Sequence, residues 1–508
     1  MTVAVSENRT ALERYLPDEQ ATVRLGEDLA MALRAGDVLA LSGDLGAGKT
    51  TLARGLIRAM ADDPALDVPS PTFTLVQSYE TRVPLHHFDL YRLSSSAELD
   101  ELGLDEMLAT GAALVEWPER ADNSLPDRTI SVELAHEAEG RLARVVGSGP
   151  AFERIARSLA MRDFLAGAGW GEAARRYFTG DASARSYETV MLAGQQTRVL
   201  MNSPRLVLGP PVRDGKPYAV IAHTAQSVAA FVAIDRALAK AGVSVPEIFA
   251  EDLDRGFLLL SHLGSENFLD AAGRPVAERY AAAAELLAAV HARKWPPRLE
   301  AAPGVFHDVP PFDRDAMMIE AELLVDWYVP YATARPAGDS LRAGFSAAWN
   351  AVFDRLERAE KSLVLRDFHS PNIIWRGDRT GHDRLGVVDF QDALIGPSAY
   401  DMASLAMDAR VTVPPEIERI AIDAYVAARR GHNGFDESHF AEAYAIMAAQ
   451  RNSKILGIFV RLNERDGKPD YLKHLPRIRN YLERALAHPA LVELRDFYGR
   501  NGLIGGTG

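Results

Sequence analysis

The sequence predicts an α/β domain followed by a larger, bilobal α+β domain in one chain. Three observations carry this. A strand, a Gly-rich turn and a helix follow one another over 37–60. The texture of the chain changes after Gly147-Ser-Gly-Pro150. Far downstream, a D-x-x-x-x-N stretch from Asp367 to Asn372 precedes two β-branched residues and an acid, Val387-Val388-Asp389. The chain has 508 residues, too many for one ordinary domain of ~150.

Taken in order, 21–35 has helical apolar spacing, 37–41 reads as a buried strand and 50–60 as a helix. Strand-like runs follow at 74–79, 85–90, 113–116, 129–134 and 141–146. The Gly147–Pro150 segment reads as a boundary, which gives a domain over 1–150 and a second over 151–508. In the second, 151–168 is helical, and 187–192 and 198–201 look like paired strands around a turn at Gly194. The run 226–241 is a helix closed by Gly242, and 257–260 is an apolar strand. From Val276 onward helices dominate, interrupted at 363–375 and 385–390. The small lobe covers about 151–265 and the large helical lobe about 266–495.

Composition narrows the chemistry. There is no cysteine, so disulfides, thiolate catalysis and Cys-based metal sites are excluded, in keeping with a reducing cytoplasm. No apolar run approaches the ~20 residues of a membrane span, and MTVAVSENRT lacks the layout of a signal peptide. The net charge of −14 argues against tight, direct binding of nucleic acid by the chain alone.

Gly43-Asp-Leu-Gly46-Ala-Gly48-Lys49-Thr50 satisfies G-x-x-x-x-G-K-[ST] in full, between a strand and a helix, with Thr51 next in line. Glycines let backbone N–H groups curl around phosphate oxygens, and the helix N-terminus adds partial positive charge. Lys49 is placed to neutralise the β/γ phosphates of ATP, and the Thr50 hydroxyl to ligate Mg²⁺. Downstream, Ser70-Pro-Thr72-Phe73-Thr74 is a polar loop before a strand. His86-His87-Phe88-Asp89 and Leu114-Val115-Glu116 each end an apolar strand in a carboxylate, which beside a P-loop can hold Mg²⁺ or orient the attacking water. Read singly, Asp89 and Glu116 are more readily solvated turn residues, and His86 and His87 surface or packing residues. GDLGAGKTT, SPTFTL, HHFDLYRL, ELDELGLDE and LVEWPER occur in the order found in the TsaE family, which 15–147 resembles. That resemblance implies an ATPase serving the other subunits of the complex that makes threonylcarbamoyladenosine in tRNA. It implies nucleotide and metal roles for Lys49 and Thr50, a mobile switch-like loop at Thr72, Asp89 and Glu116 near the metal, and Trp117 beside the nucleotide.

The second constellation is Leu365-Arg366-Asp367-Phe368-His369-Ser370-Pro371-Asn372, which has the spacing of a kinase catalytic loop. Asp367 is the candidate catalytic base, with Asn372 and Asp389 the candidate Mg²⁺ ligands. His369 alone reads as a satisfied buried histidine. Asp401 reads as a helix N-terminal residue or as a brace for the catalytic loop. The segment 178–187, with Gly180, Ser183 and Arg185, resembles a phosphate-covering loop between strands, and RGFLLLSHLG a hinge. RDFHSPN and VVDFQDALIGPSAYDMASL resemble the aminoglycoside phosphotransferase superfamily over about 155–490. Within it they are most similar to the kinases that phosphorylate N-acetylmuramate and N-acetylglucosamine at the anomeric hydroxyl (the AmgK type). The run RNSKILGIFVRL belongs to that pattern and reads locally as a helix with apolar and basic faces.

The strand 198–201 departs from the kinase plan. Met201 stands where a phosphate-gripping lysine is expected, and the helix at 226–241 offers Asp235 rather than a glutamate. Arg185 or Arg198 is the candidate replacement, and both read equally as surface arginines. The sequence thus predicts a bifunctional enzyme using ATP and Mg²⁺: a tRNA-modification ATPase joined to an amino-sugar kinase of cell-wall recycling. An acceptor such as an aminoglycoside or a choline-like alcohol, or a pseudokinase scaffold for the ATPase, stays open at this point.

Overall fold

The apolar run ahead of the Gly-rich turn is the centre of a seven-stranded sheet in the computed structural model. The structure describes residues 9–505 apart from 94–96, 123, 179–184 and 433. The elements of this first region are β1 (Thr10–Leu16), α1 (Glu19–Ala32), β2 (Val38–Ser42), α2 (Lys49–Ala61), β3 (Val76–Tyr79), β4 (Leu85–Asp89), α3 (Ala97–Glu101), α4 (Leu104–Leu108), β5 (Ala112–Glu116), β6 (Ile130–Glu137) and β7 (Gly140–Gly147). The sheet order is β1-β7-β6-β2-β5-β4-β3. β2 pairs in parallel with β5 and β6, and β4 in parallel with β5. Strands covered on both faces read as continuous apolar runs, which is why β2 and β5 are legible. β1 is an antiparallel edge strand on β7 that the sequence reading does not contain. Most of its side chains are at least partly exposed, so it lacks the alternation that announces a strand, and distant pairing defines it.

Gly147–Pro150 is a tight turn and not a linker. β7 runs through Gly147, Gly149 adopts φ +73°, and α5 (Gly149–Gly167) starts at once with proline in its first turn. The Gly/Pro signature marks a helix start as readily as a domain boundary. By contact, the chain divides into Met1–Ser203 with Ile248–Ser261, and Pro204–Glu247 with His262–Gly508.

The first unit therefore also holds a second sheet. Its strands are β8 (Ala174–Phe178), β9 (Ser186–Met191), β10 (Arg198–Asn202), Ile248–Asp252 and Phe257–Ser261. They run antiparallel, in the order Ile248–Asp252, Phe257–Ser261, β10, β9, β8. α1 is fastened to this sheet by a buried ionic cluster. Arg175 of β8 donates through Nε and Nη2 to Glu188 of β9 (2.6 and 2.8 Å) and through Nη1 to Asp28 of α1 (2.7 Å). Arg162 of α5 donates to both oxygens of Asp28. Arg175 has no exposed side-chain surface, and the opposing carboxylates outweigh burial and keep its guanidinium charged.

The second unit is mainly helical. Helices Ala277–His291 and Pro415–Arg429 pack together, and the long helix Glu437–Glu464 lies against Arg314–Ala321 and Ala399–Ala406. Two short ladders interrupt the helices: Lys361–Val364 with Leu394–Pro397, and Ile373–Trp375 with Leu385–Val387. A hairpin of Arg298–Ala302 and Val305–Asp308 is also present, outside the sequence reading. No helix among the described residues is long and apolar enough to cross a membrane.

Candidate functional site

The P-loop occupies the carboxyl ends of the parallel strands, the usual ligand crevice of an open α/β sheet. Gly43, Gly46 and Gly48 have φ of +136°, +80° and +104°. A Cβ on Gly43 would lie 2.3 Å from the Leu134 carbonyl oxygen, so only glycine fits there. The loop and its neighbours line a cavity of about 400 Å³ with Gly46, Gly48, Lys49, Thr50, Thr51 and Thr72 among its walls. The Lys49 ammonium donates to the carbonyls of Gly43 (2.6 Å) and Asp44 (3.0 Å). It also lies 3.7 Å from the centre of the Trp117 ring, whose residue has φ +60°. Burial lowers the Lys49 pKa against the pull of Glu116, Glu119, Asp89 and Asp44.

Parallel pairing brings the two strand-end carboxylates side by side, Asp89 opposite Glu116. Both are buried, at 3 % and 1 % exposure, which overturns the solvated reading. Their lone pairs are occupied instead. Ser70 Oγ and Thr72 Oγ1 donate to Asp89 Oδ2 at 2.7 and 2.8 Å, and Thr50 Oγ1 donates to Glu116 Oε2 at 3.1 Å. His87, read from sequence as surface or packing, is fully buried and bonds through Nε2 to Glu116 Oε1 at 3.0 Å. The signal was present: with a strand period of two, His87 shares the Asp89 face of β4. His86 faces the other way and bonds Ser78. Arg141 of β7 also lines the cavity, and nothing near the P-loop in sequence announces it.

In the second unit the catalytic loop is shaped by residues distant in sequence. Asp401, fully buried, accepts the backbone N–H of Leu365 (2.7 Å) and of Arg366 (2.9 Å), so it is the brace. Arg366 and Asp389 have φ of +72° and +62°, conformations that cost non-glycine residues about 1–3 kcal/mol and persist where the surroundings impose them. The Arg366 guanidinium pairs with the fully buried Glu320, which also accepts from Lys454 Nζ (2.6 Å) and Gln450 Nε2 (3.1 Å). Burial tends to raise the Glu320 pKa, but Lys454 and Arg366 prevail and hold it at about 2. RNSKILGIFVRL is thus the interior of a 28-residue helix, and its basic residue Lys454 faces a buried acid.

Asp408 accepts Ser370 N–H (2.8 Å), Ser370 Oγ–H (2.6 Å) and Arg410 N–H (2.7 Å), with His369 Nδ1 3.7 Å away. Burial opposes its charge, yet His369 and these donors hold its carboxyl well below the usual range. Asn372 Nδ2 donates to the Asp367 carbonyl at 2.9 Å and lies 3.4 Å from Asp389 Oδ2. The Asp367 carboxylate is half-buried and has no hydrogen-bond or ion-pair partner among the described residues. The structure thus places Asn372 beside the Asp367 main chain and the Asp389 carboxylate. Gln391 was not foreseen; its Nε2 donates to Asp389 Oδ1 at 3.0 Å.

Met201 stands where the sequence pattern of a kinase expects a phosphate-gripping lysine. Met201 is fully buried in β10. Arg198 lies over the rings of Trp170 (4.3 Å) and Phe249 (3.6 Å). Asp235 is buried, with Oδ2 lacking a hydrogen-bond partner among the described residues; burial raises its pKa against the pull of its neighbour Arg236. Arg185 is half-buried, and Gly180 and Ser183 lie outside the described residues. Among the described residues no three His, Asp or Glu side chains converge as a metal cage. One or two carboxylates beside a hydroxyl or amide is the donor set Mg²⁺ takes together with phosphate oxygens, and both sites fit it.

Comparison with known proteins divides the chain between residues 145 and 165, ahead of the division by contact at Ser203. The family model for threonylcarbamoyl adenosine biosynthesis protein TsaE matches residues 16–145. That of the phosphotransferase enzyme family (APH) matches 165–435. An N-acetylmuramate/N-acetylglucosamine kinase of Caulobacter vibrioides is 34% identical over 355 residues, 68% of this chain and 96% of the relative. Its namesake in Pseudomonas aeruginosa is 34% identical over 340 residues, 64% of this chain and 89% of the relative. A tRNA threonylcarbamoyladenosine biosynthesis protein TsaE of Haemophilus influenzae is 36% identical over 138 residues, 26% of this chain and 86% of the relative.

Proposed function

The chain belongs to the phosphotransferase enzyme family and carries a TsaE-family domain ahead of it, and on that premise we propose a bifunctional enzyme. The first domain hydrolyses ATP in support of tRNA threonylcarbamoyladenosine formation, acting with partner subunits. The second transfers the γ-phosphate of ATP to the anomeric hydroxyl of N-acetylmuramate or N-acetylglucosamine, in cell-wall recycling. The relatives' names support the substrates. The observation that supports the chemistry is Asn372, whose amide donates to the Asp367 main-chain carbonyl and lies 3.4 Å from Asp389 Oδ2, on a loop clamped by Asp401.

In the P-loop domain, Lys49 and the turned backbone N–H groups neutralise phosphate charge. Thr50 with Asp89 or Glu116 would hold Mg²⁺, which when bound offsets charge across the β and γ phosphates. His87 fixes Glu116 from behind, so that one carboxylate oxygen faces Thr50. In the kinase domain Asp367 accepts the proton of the attacking hydroxyl. An anomeric hydroxyl is more acidic than an ordinary alcohol, and a loose transition state asks little of the base, so a carboxylate suffices. Asn372 and Asp389 would hold the metal, and Asp401 keeps the loop backbone from swinging Asp367 away.

The purified chain with Mg²⁺ and ATP should phosphorylate at least one of the two amino sugars, and Asp367→Asn should abolish product. Phosphorylation of another alcohol in their place would keep the kinase and remove the substrate. The buried Met201, where a lysine is expected, favours a second reading as a ligand-binding scaffold. Absence of any phosphorylated product, together with an Asp367→Asn variant that changes no cellular phenotype, would favour that reading.

A further inference from the structure

β7 carries one side chain that its pattern does not explain. With a strand period of two, Arg141 shares a face with Ala143 and Val145, both fully buried in the apolar core that includes Leu25 of α1 and Leu52 of α2. An always-charged guanidinium thus ends a core-facing row. It ends it where the sheet meets the P-loop. A Cβ on Gly48 would lie 3.1 Å from Arg141 Nε, 3.4 Å from Cδ and 3.7 Å from Cζ. Glycine at 48 leaves the space that the arginine takes, and the guanidinium lies against the residue just before Lys49.

Other arginines of this unit are matched with acids: Arg175 with Asp28 and Glu188, Arg162 with Asp28, and Arg154 with Asp37. Arg141 is half-buried and has neither a hydrogen bond nor an ion pair among the described residues. Its Nε is enclosed, whereas the two Nη groups are neither enclosed nor bonded. The side chain lines the same cavity as Lys49, Thr50 and Thr51, so a molecule held there can reach it. The two cations of that cavity differ in how far they are engaged. Lys49 already donates to the carbonyls of Gly43 and Asp44, while the Nη donors of Arg141 are uncommitted.

We propose that Arg141 is a phosphate ligand of the P-loop site, closing as a fork on the α and β phosphates of the nucleotide. The backbone of a P-loop cradles those two phosphates, whereas its lysine reaches the β and γ phosphates. Arg141 lies on that backbone, at Gly48. A planar guanidinium takes two phosphate oxygens at once, which a lysine cannot. ADP keeps both of these phosphates, so the contact anchors substrate and product alike. It therefore serves affinity and not the hydrolytic step. The inference rests on the ATPase reading above and adds to it a residue far outside the motif.

The chain has no cysteine, so Leu45→Cys supplies a single thiol, at a position that lines this cavity and is 81 % exposed. A fluorophore there reads nucleotide at the P-loop and not at the kinase site. The test titrates the labelled full-length chain with ADP and with inorganic pyrophosphate, with Arg141 kept and as Arg141→Ala and Arg141→Lys. Arg141→Ala should raise the Kd of both by about tenfold or more, as the loss of charge-assisted hydrogen bonds does, with Arg141→Lys in between. The unlabelled Arg141→Ala chain should show a similar rise in the KM for ATP in acceptor-free hydrolysis, with a much smaller change in kcat. Its thermal midpoint without nucleotide should stay near wild type, since the arginine has no protein partner to lose. Should alanine lower it, Arg141→Met, which keeps the apolar stem, carries the same comparison. An ADP affinity unmoved by these variants would overturn the inference and leave the ATPase reading standing. So would weaker ADP binding with pyrophosphate binding unchanged, which would set the arginine on the base, or a fall in kcat with KM kept. If the chain with Arg141 hydrolyses no ATP and binds neither ADP nor pyrophosphate at this cavity, the ATPase reading falls, and the inference with it.

Discussion

The two phosphate sites of this chain obtain their geometry from different distances along the sequence. At the P-loop, eight consecutive residues make the cradle, and the glycines that bend it are the glycines of the motif. At the catalytic loop, the bend at Arg366 is enforced by Asp401 and by the pairing of Arg366 with Glu320, partners 35 and 46 residues away. Lys454, 134 residues from Glu320, completes that cluster. A site made by its own backbone tolerates change around it, whereas a site held by remote buried charges fails when one of them is removed.

Removing a charge from the remote scaffold should therefore have the largest effect on folding. Glu320→Ala leaves Arg366 and Lys454 buried without their counter-ion. It should destabilise the second unit by about 3–5 kcal/mol, read as a lowered denaturation midpoint. A Glu320→Ala chain of wild-type stability and kinase rate would show that the catalytic loop is locally encoded after all. At the reacting centre, Asp389→Asn should reduce phosphoryl transfer by about 1,000-fold and raise the ATP concentration needed for half-saturation.

The P-loop site should respond more gently to its supports. His87→Leu removes the bond to Glu116 but not the cradle. It should lower ATP hydrolysis by about tenfold with nucleotide binding nearly kept, as second partners of ligating groups typically do. A loss as deep as that of a cradle residue would erase the contrast between the two sites.

A further test is of pH dependence. Burial pushes the Asp235 carboxyl up to about 8. The native state then holds a proton that the unfolded chain has lost above about pH 4. Stability should fall as pH rises from about 4 to about 8, because the unfolded carboxyl ionises freely over that range while the native one stays protonated. Asp235→Asn should flatten that part of the profile in equilibrium unfolding; an unchanged slope would assign it to other groups.

The same contrast explains what the sequence reveals. The P-loop, the strand-end acids Asp89 and Glu116, and the triple of Asp367, Asn372 and Asp389 are legible because spacing alone sets them. His87 was within reach, since it alternates in phase with Asp89. Glu320, Arg141 and Gln391 were not, because each gains meaning only through a partner on another element. β1 was missed for a related reason: its side chains are largely exposed, and its identity as a strand comes from pairing with β7. Gly147–Pro150 was legible as a break, but the break is a turn into α5, whose Arg162 joins the Arg175 cluster.

The central claim is that one chain holds two separate phosphate-transferring sites. Its most direct test measures ATP hydrolysis and amino-sugar phosphorylation in parallel on the full chain, for wild type, Lys49→Ala and Asp367→Asn. Lys49→Ala should abolish hydrolysis without acceptor and leave sugar phosphate forming. Asp367→Asn should do the reverse, lowering sugar phosphorylation by about 1,000-fold or more while basal hydrolysis continues. A folded Lys49→Ala or Asp367→Asn protein that loses both activities together would contradict the claim and point to a single site.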